Sequence, residues 1–168
     1  RWVGGSNLEE ALSVRQFCPY GEIFILGYTP PEFAPELARN NIIQGVLSME
    51  YARQLQHFAH QPVRCHIKLD TGMHLMGFDP ENDMEELIGK LKHQNAIIPR
   101  SVFSHFVGSD DDSFDDFSAH QFELFDKGSK QLQAAFDHKI LRHICNSAGI
   151  EHFPERQLDM CRLGLGLY

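Results

Sequence analysis

The chain has 168 residues, 42% of them hydrophobic and 11% aromatic, with a formal net charge of −8. That is enough apolar material for one sizeable core, and it excludes a disordered or low-complexity chain. The acidic balance supplies no field to attract nucleic acid or anionic lipid, and no apolar run approaches the roughly eighteen residues that a bilayer span needs. The first residues, Arg1 to Gly5, do not read as a signal peptide. Cys18, Cys65, Cys145 and Cys161 are scattered without CxxC spacing, as reduced thiols of a cytoplasmic protein would be.

Taken in chain order, strand and helix periods alternate. Trp2-Val3 reads as the end of a strand. Leu8 to Arg15 carries helical spacing behind Ser6 or Asn7 as cap, and Glu22 to Gly27 is a short apolar strand closed by glycine. Ile42 to Leu47 is a strand, followed by a helix from Met49 to about His60. Val63 to Leu69 is the next strand, with a helix from about Glu81 to Gln94. Arg100 to Phe106 reads as a strand, Phe117 to Phe136 as a long helix, Ile140 to Cys145 as a strand, and Met160 to Leu167 as a last strand broken by glycines.

Six to seven strands alternating with helices predict a parallel sheet. Two architectures satisfy the crossover rule, an open doubly wound sheet and a closed (β/α)8 barrel, and the strand count favours the barrel. No repeat, linker or domain boundary interrupts residues 1–168, so they read as a single, incomplete barrel domain. The acidic run Ser109 to Asp116 lacks the central glycine and terminal glutamate of a calcium loop and reads as a solvated segment capping the next helix.

Candidate chemistry sits where strands end. Asn146 and Ser147 follow an apolar strand, where a hydroxyl and free N–H groups can hold an anion, although a plain helix cap would look the same. Arg162 to Gly166 could add a fixed cation and closely approaching N–H groups. Lys68 is an amine in an apolar strand and shares a face with Asp70. It either pairs with that carboxylate or faces a ligand or modification. His57 and His60 have helical metal spacing but no third ligand nearby in sequence, so no metal is expected.

The strings Lys68-Leu69-Asp70-Thr71-Gly72-Met73, Ser104-His105-Phe106, His143 to Gly149 and Asp159 to Gly164 with Leu167-Tyr168 follow the order and spacing of alanine racemases. The chain resembles the central part of their barrel domain, closest in look to Bacteroidetes members. The resemblance implies a fold-type III pyridoxal 5'-phosphate enzyme, a homodimer when complete, interconverting L- and D-alanine for peptidoglycan synthesis. It implies that Ser147 and the backbone of Gly164 and Leu165 hold the cofactor phosphate with Asn146 beside them. Arg162 would face the pyridine nitrogen, His143 would orient Arg162, and His105 would line the pocket. Lys68 matches a lysine that many members carbamylate.

Three departures accompany the resemblance. The arginine that family members carry two residues after the DTGM methionine is Leu75 here. The Schiff-base lysine of the first strand, in its Lys-Ala-x-Ala-Tyr-Gly context, is matched by none of Lys68, Lys90, Lys92, Lys127, Lys130 or Lys139. The opposing tyrosine base belongs to a C-terminal β domain. No catalytic residue is therefore expected in this chain, the first strand and that domain are expected to be absent, and the isolated chain is expected to be inactive. Two alternatives remain: a related amino-acid racemase or decarboxylase of the same cofactor class, and a non-catalytic racemase-like structural or sensory domain.

Overall fold

The computed structural model describes residues 2–168. Six strands form one sheet in sequence order: β1 (Trp2–Gly5), β2 (Glu22–Ile25), β3 (Ile42–Val46), β4 (Val63–Lys68), β5 (Ile97–Phe103) and β6 (Leu141–His143). Every adjacent pair is parallel. The connections carry α1 (Leu8–Phe17), α2 (Ala34–Arg39), α3 (Met49–Phe58), α4 (Met84–Lys92) and α5 (Asp115–Ala134), and α6 (Ser147–His152) follows β6. Strands in unbroken sequence order with crossover helices are the arrangement of a (β/α)8 barrel, here an open portion of one.

The inner strands β2 to β5 are covered on both faces, which lets near-continuous apolar runs stay dry, whereas β1 at the open edge has no buried residue. Ile23, Ile25, Ile42, Val46, Ile67 and Val102 face the helices in the main core. α3 meets them with Tyr51, Ala52 and Leu55, and α4 with Met84, Leu87 and Leu91, each set at helical spacing. Each fully buried Leu or Ile contributes about 1.5–3 kcal/mol. α5 lies close to the segment that follows β4, because a Cβ on Gly128 would stand 3.0 Å from both Leu69 Cδ1 and Pro80 Cβ. On the opposite face of the sheet Trp2, Phe24, His66, Phe103 and His143 stack edge to face or face to face inside the barrel.

Several local features differ from the sequence reading. Met160 to Leu167 is not a strand. Arg162 N–H donates to the Cys145 carbonyl at 3.0 Å and Asp159 N–H to the Arg142 carbonyl at 3.1 Å, after which Leu165–Leu167 winds into a 3-10 turn. The glycines let this segment leave the ladder. α2 was not foreseen, because Pro30, Pro31 and Pro35 obscure a helix that in fact uses Pro35 in its first turn. β5 begins three residues before Arg100 and ends at Phe103. Of the two cap candidates, Asn7 caps α1 by accepting from Glu10 N–H at 2.9 Å, while Ser6 donates to the Glu10 carboxylate.

Candidate functional site

The carboxyl ends of β4, β5 and β6 and the segment after α6 gather most of the residues singled out above. Asn146 is a helix cap: its side-chain oxygen accepts from Gly149 N–H at 2.9 Å and from the Ser109 hydroxyl at 2.7 Å. With the cap position taken, Ser147 Oγ is free to turn outward. There it accepts from the N–H groups of Gly164 at 3.0 Å and Gly166 at 3.1 Å. The two amides thus meet the hydroxyl, while Leu165 opens the 3-10 turn between them with its side chain in solvent. A Cβ on Gly166 would come within 3.3 Å of Ser147 Cβ and fill this cradle.

Arg162 is a charged group placed inside the protein. Its guanidinium is turned into the protein and donates to His143 Nδ1 at 2.6 Å, to the Ser104 carbonyl at 2.5 Å and to the Ile144 carbonyl at 3.1 Å. It also lies 3.3 Å from His105 Nδ1 and over the Phe103 ring. Among the described residues it pairs with no carboxylate, and burial pulls its pKa down to about 10. It is still charged at neutral pH, so an inward-facing cation lacks a counter-anion.

The neighbouring histidines adapt to that cation. Burial, followed by the charges of Arg162 and Lys68, lowers His105 to about 4. Burial and Arg162 push His143 well below its ordinary value. Both are neutral at pH 7 and serve as hydrogen-bond acceptors toward the guanidinium.

Lys68 ends β4 with its neighbours Ile67 and Leu69 buried among the helices, so its side chain lies on the barrel side. It forms no ion pair with Asp70. That carboxylate instead accepts from Gly72 N–H at 3.1 Å and His74 N–H at 3.0 Å, closing the loop that follows β4. Burial lowers the Lys68 pKa, Asp70 raises it and Arg162 lowers it further. Leu75, at the tip of that loop, is 72% exposed. The other five lysines lie on α4, on α5 or just before β6.

Beside these groups, the space between β1 and the Met160 to Gly164 segment is a cavity of about 680 Å³. Its walls include Trp2, Gly4, Phe24, Cys161, Arg162 and Gly164. A small planar ligand bearing an anionic group suits this combination of aromatic wall, unpaired cation and N–H cradle. His57 and His60, by contrast, gather no third ligand-type side chain among the described residues. The acidic run does not cap α5 with a side chain: Asp111 accepts from Ser113 N–H at 2.9 Å and so caps the 3-10 turn Asp112–Phe114, while Asp115 and Asp116 occupy the first turn of α5 and Asp112 and Asp115 lie 3.7 and 3.0 Å from His152 Nε2.

Sequence reasoning missed two members of this site. Ser101 and His66 lie buried beneath His143 on β5 and β4, and both contact its ring. A buried Ser or His within an apolar strand was the available signal, but it gives no indication that the three side chains meet.

Residues 1–168 match the family described as alanine racemase, N-terminal domain. The chain is 29% identical to alanine racemase 1 of Oceanobacillus iheyensis over 99% of its own length and 45% of that protein. An alanine racemase from Clostridium difficile, solved in complex with cycloserine, superposes with a TM-score of 0.89 at 30% identity, over 99% of this chain and 46% of that one. A histidine racemase from Leuconostoc mesenteroides superposes with a TM-score of 0.83 at 26% identity, over 98% and 44% respectively. The chain thus spans a little under half the length of these relatives.

Proposed function

Because the chain belongs to the alanine racemase N-terminal domain family, we propose that it supplies the cofactor-holding wall of a pyridoxal-phosphate-dependent racemase acting on alanine. When bound, the cofactor supplies an electron sink for the α-carbon of an amino acid. The residues of this chain fit such a group. The amides that converge on Ser147 Oγ are those of Gly164 and Gly166 rather than of Gly164 and Leu165, and both donate to the hydroxyl, so a phosphate seated there would take its place as their acceptor while Ser147 donates to it. Arg162 offers a fixed cation to its pyridine nitrogen.

The carrying observation is the unpaired Arg162 guanidinium held by His143 Nδ1 and two carbonyls. A group that remains cationic cannot accept a proton, so it disfavours protonation of a facing ring nitrogen. That restrains the electron sink and favours return of a proton to the α-carbon over side reactions. His143 and His105, both neutral, add no competing charge.

Racemisation requires one acid–base group on each face of the α-carbon. In this proposal residues 1–168 are a single barrel portion that contributes neither group, and the rest of a dimeric parent protein supplies both. Leu75 takes no part in binding, and Lys68 remains an unmodified amine. A second reading, a racemase for another amino acid, is favoured by the likeness to the histidine racemase; the side-chain preference would then be set outside the wall described above.

The test is a pyridoxal-phosphate titration of the chain followed by absorbance, with borohydride reduction and peptide mapping. Saturable binding, competed by inorganic phosphate and without a reduced lysine adduct, is the expected result. An adduct on one lysine, or racemisation of alanine by the purified chain, would overturn the assignment of no catalytic residue. Absence of binding would overturn the cofactor role itself.

A further inference from the structure

His66, Ser101 and His143 stand on three successive strands and are all fully buried on the barrel side. Their meeting depends on an irregularity. Between Cys65 and His66 the pairing of β4 with β5 slips, so that Cys65 faces Pro99 but His66 faces Ser101. β5 therefore spends one extra residue, Arg100, and the bulge moves Ser101 to the face that it would not occupy in a regular ladder. Without it His66 would stand opposite Arg100.

The hydrogen bonds have one consistent direction. A guanidinium has no acceptor, so Arg162 Nη1 must donate to His143 Nδ1. A neutral His143 then carries its proton on Nε2, which lies 3.2 Å from Ser101 Oγ and 3.3 Å from His66 Nδ1. Ser101 Oγ in turn contacts His66 Nδ1 and can donate to it. His66 is left with its proton on Nε2, which is buried without a hydrogen-bond partner beside the rings of Trp2 and Phe24.

We propose that Ser101 is a positioning residue: its hydroxyl closes a one-way chain, Arg162 to His143 to Ser101 to His66, that holds His143 in one tautomer and in one ring orientation behind the guanidinium. The chain ends against aromatic carbon, so no proton reaches Arg162 or a ring nitrogen facing it from this side. The bearing on the cofactor rests on the reading of Arg162 given above, whereas the tautomer and ring orientation do not.

The test uses the 168-residue chain labelled with 15N in its histidine rings. NMR should show His143 protonated at Nε2 and unprotonated at Nδ1, with a hydrogen-bonded, slowly exchanging Nε2 proton. Ser101→Val should shift and broaden that resonance. Ser101→Thr, nearly the same shape but with the hydroxyl restored, should return it. Should Ser101→Val not fold, Ser101→Ala, which removes the hydroxyl without adding bulk, should give the same loss. A His143 proton on Nδ1 in the unaltered chain, or a resonance unmoved in a folded Ser101→Val variant, would overturn the proposal. Pyridoxal-phosphate affinity should fall roughly tenfold in Ser101→Val and recover in Ser101→Thr. An NMR change with affinity unaltered would overturn the cofactor reading of Arg162 and leave the hydrogen-bond chain standing.

Discussion

Arg162 Nη1 lies 2.6 Å from His143 Nδ1, joining a segment without regular strand structure to the last strand of the sheet. The same guanidinium also spans the carbonyls of Ser104 and Ile144. It therefore ties the ends of β5 and β6 to the Met160 to Gly164 segment as well as presenting a charge.

Arg162→Lys tests both roles. A lysine keeps the charge but cannot span three acceptors fixed in different directions. At least one inward carbonyl should lose its partner, at a cost of about 1–3 kcal/mol. Urea denaturation of the apo chain should register that loss. A variant as stable as the unaltered chain would show that the fork is not structural.

Ser147→Ala should separate binding from stability. The cradle amides of Gly164 and Gly166 are on exposed backbone, so water can replace the lost hydroxyl and stability should change by less than about 0.5 kcal/mol. Affinity for pyridoxal phosphate should fall roughly tenfold, equivalent to about 1.4 kcal/mol for one hydrogen bond to an anion. Isothermal titration would check it, and unchanged affinity would place the phosphate elsewhere.

Acid stability follows from the buried histidines. His66, lowered to about 3 by burial and then by Arg162, and His143, well below its ordinary value, both bind protons more weakly when folded. Between these folded values and the unfolded value of about 6.5 the unfolded chain binds more protons, so stability rises with pH. It is at its plateau above about pH 6.5 and falls as the pH drops, by about 1.4 kcal/mol per unit for each histidine and about 3 for the pair. His105, partly exposed, adds less. His66→Phe should remove about half of that slope in denaturation curves taken between pH 6.5 and 4.5. An unchanged slope would mean that His66 is protonated in the folded chain.

The sequence made most of this architecture legible because alternation of buried runs and amphipathic stretches is a local property. Val63 to Leu69 could be placed on a strand, with Lys68 on the side opposite Ile67 and Leu69, from alternation alone. The same logic misled at Leu163, Leu165 and Leu167. They alternate like a strand but are all largely exposed, since the intervening glycines permit a turn. The Lys68–Asp70 pair failed for a similar reason. Sharing a face does not bring two groups together when Asp70 Oδ1 is turned to the Gly72 and His74 amides and so orients the carboxylate toward its own loop. The His66–Ser101 contact was out of reach, because it exists only through a slip in register between two strands.

Gly77 offers a test of how the loop after β4 is held. Its φ is +131°, and a Cβ there would stand 2.8 Å from Asp70 N. Its N–H donates to the Leu47 carbonyl at 3.1 Å, and the next residue, Phe78, donates to the Lys68 carbonyl at 2.9 Å. Gly77→Ala meets both backbone strain and a clash with main chain, which together should destabilise the chain by roughly 2–3 kcal/mol. Thermal or urea unfolding within about 0.5 kcal/mol of the unaltered chain would contradict this account.

The same loop decides what can become of Lys68. Burial lowers its pKa, which raises the fraction of free amine able to attack carbon dioxide, with a C–N bond formed and a proton released to solvent. The resulting carbamate needs a cation to hold it, and at position 75 the chain presents an exposed leucine instead of a guanidinium. Carbon-13 NMR of the chain in labelled bicarbonate should therefore show no stable carbamate on Lys68, whereas Leu75→Arg should produce one that Lys68→Ala then abolishes. Since Leu75 is 72% exposed, its replacement should shift stability by less than about 0.5 kcal/mol, so a missing signal could not be blamed on unfolding. A carbamate in the unaltered chain would show that the Arg162 side of the barrel suffices to hold the anion, and none in Leu75→Arg would show that the loop cannot bring position 75 to Lys68.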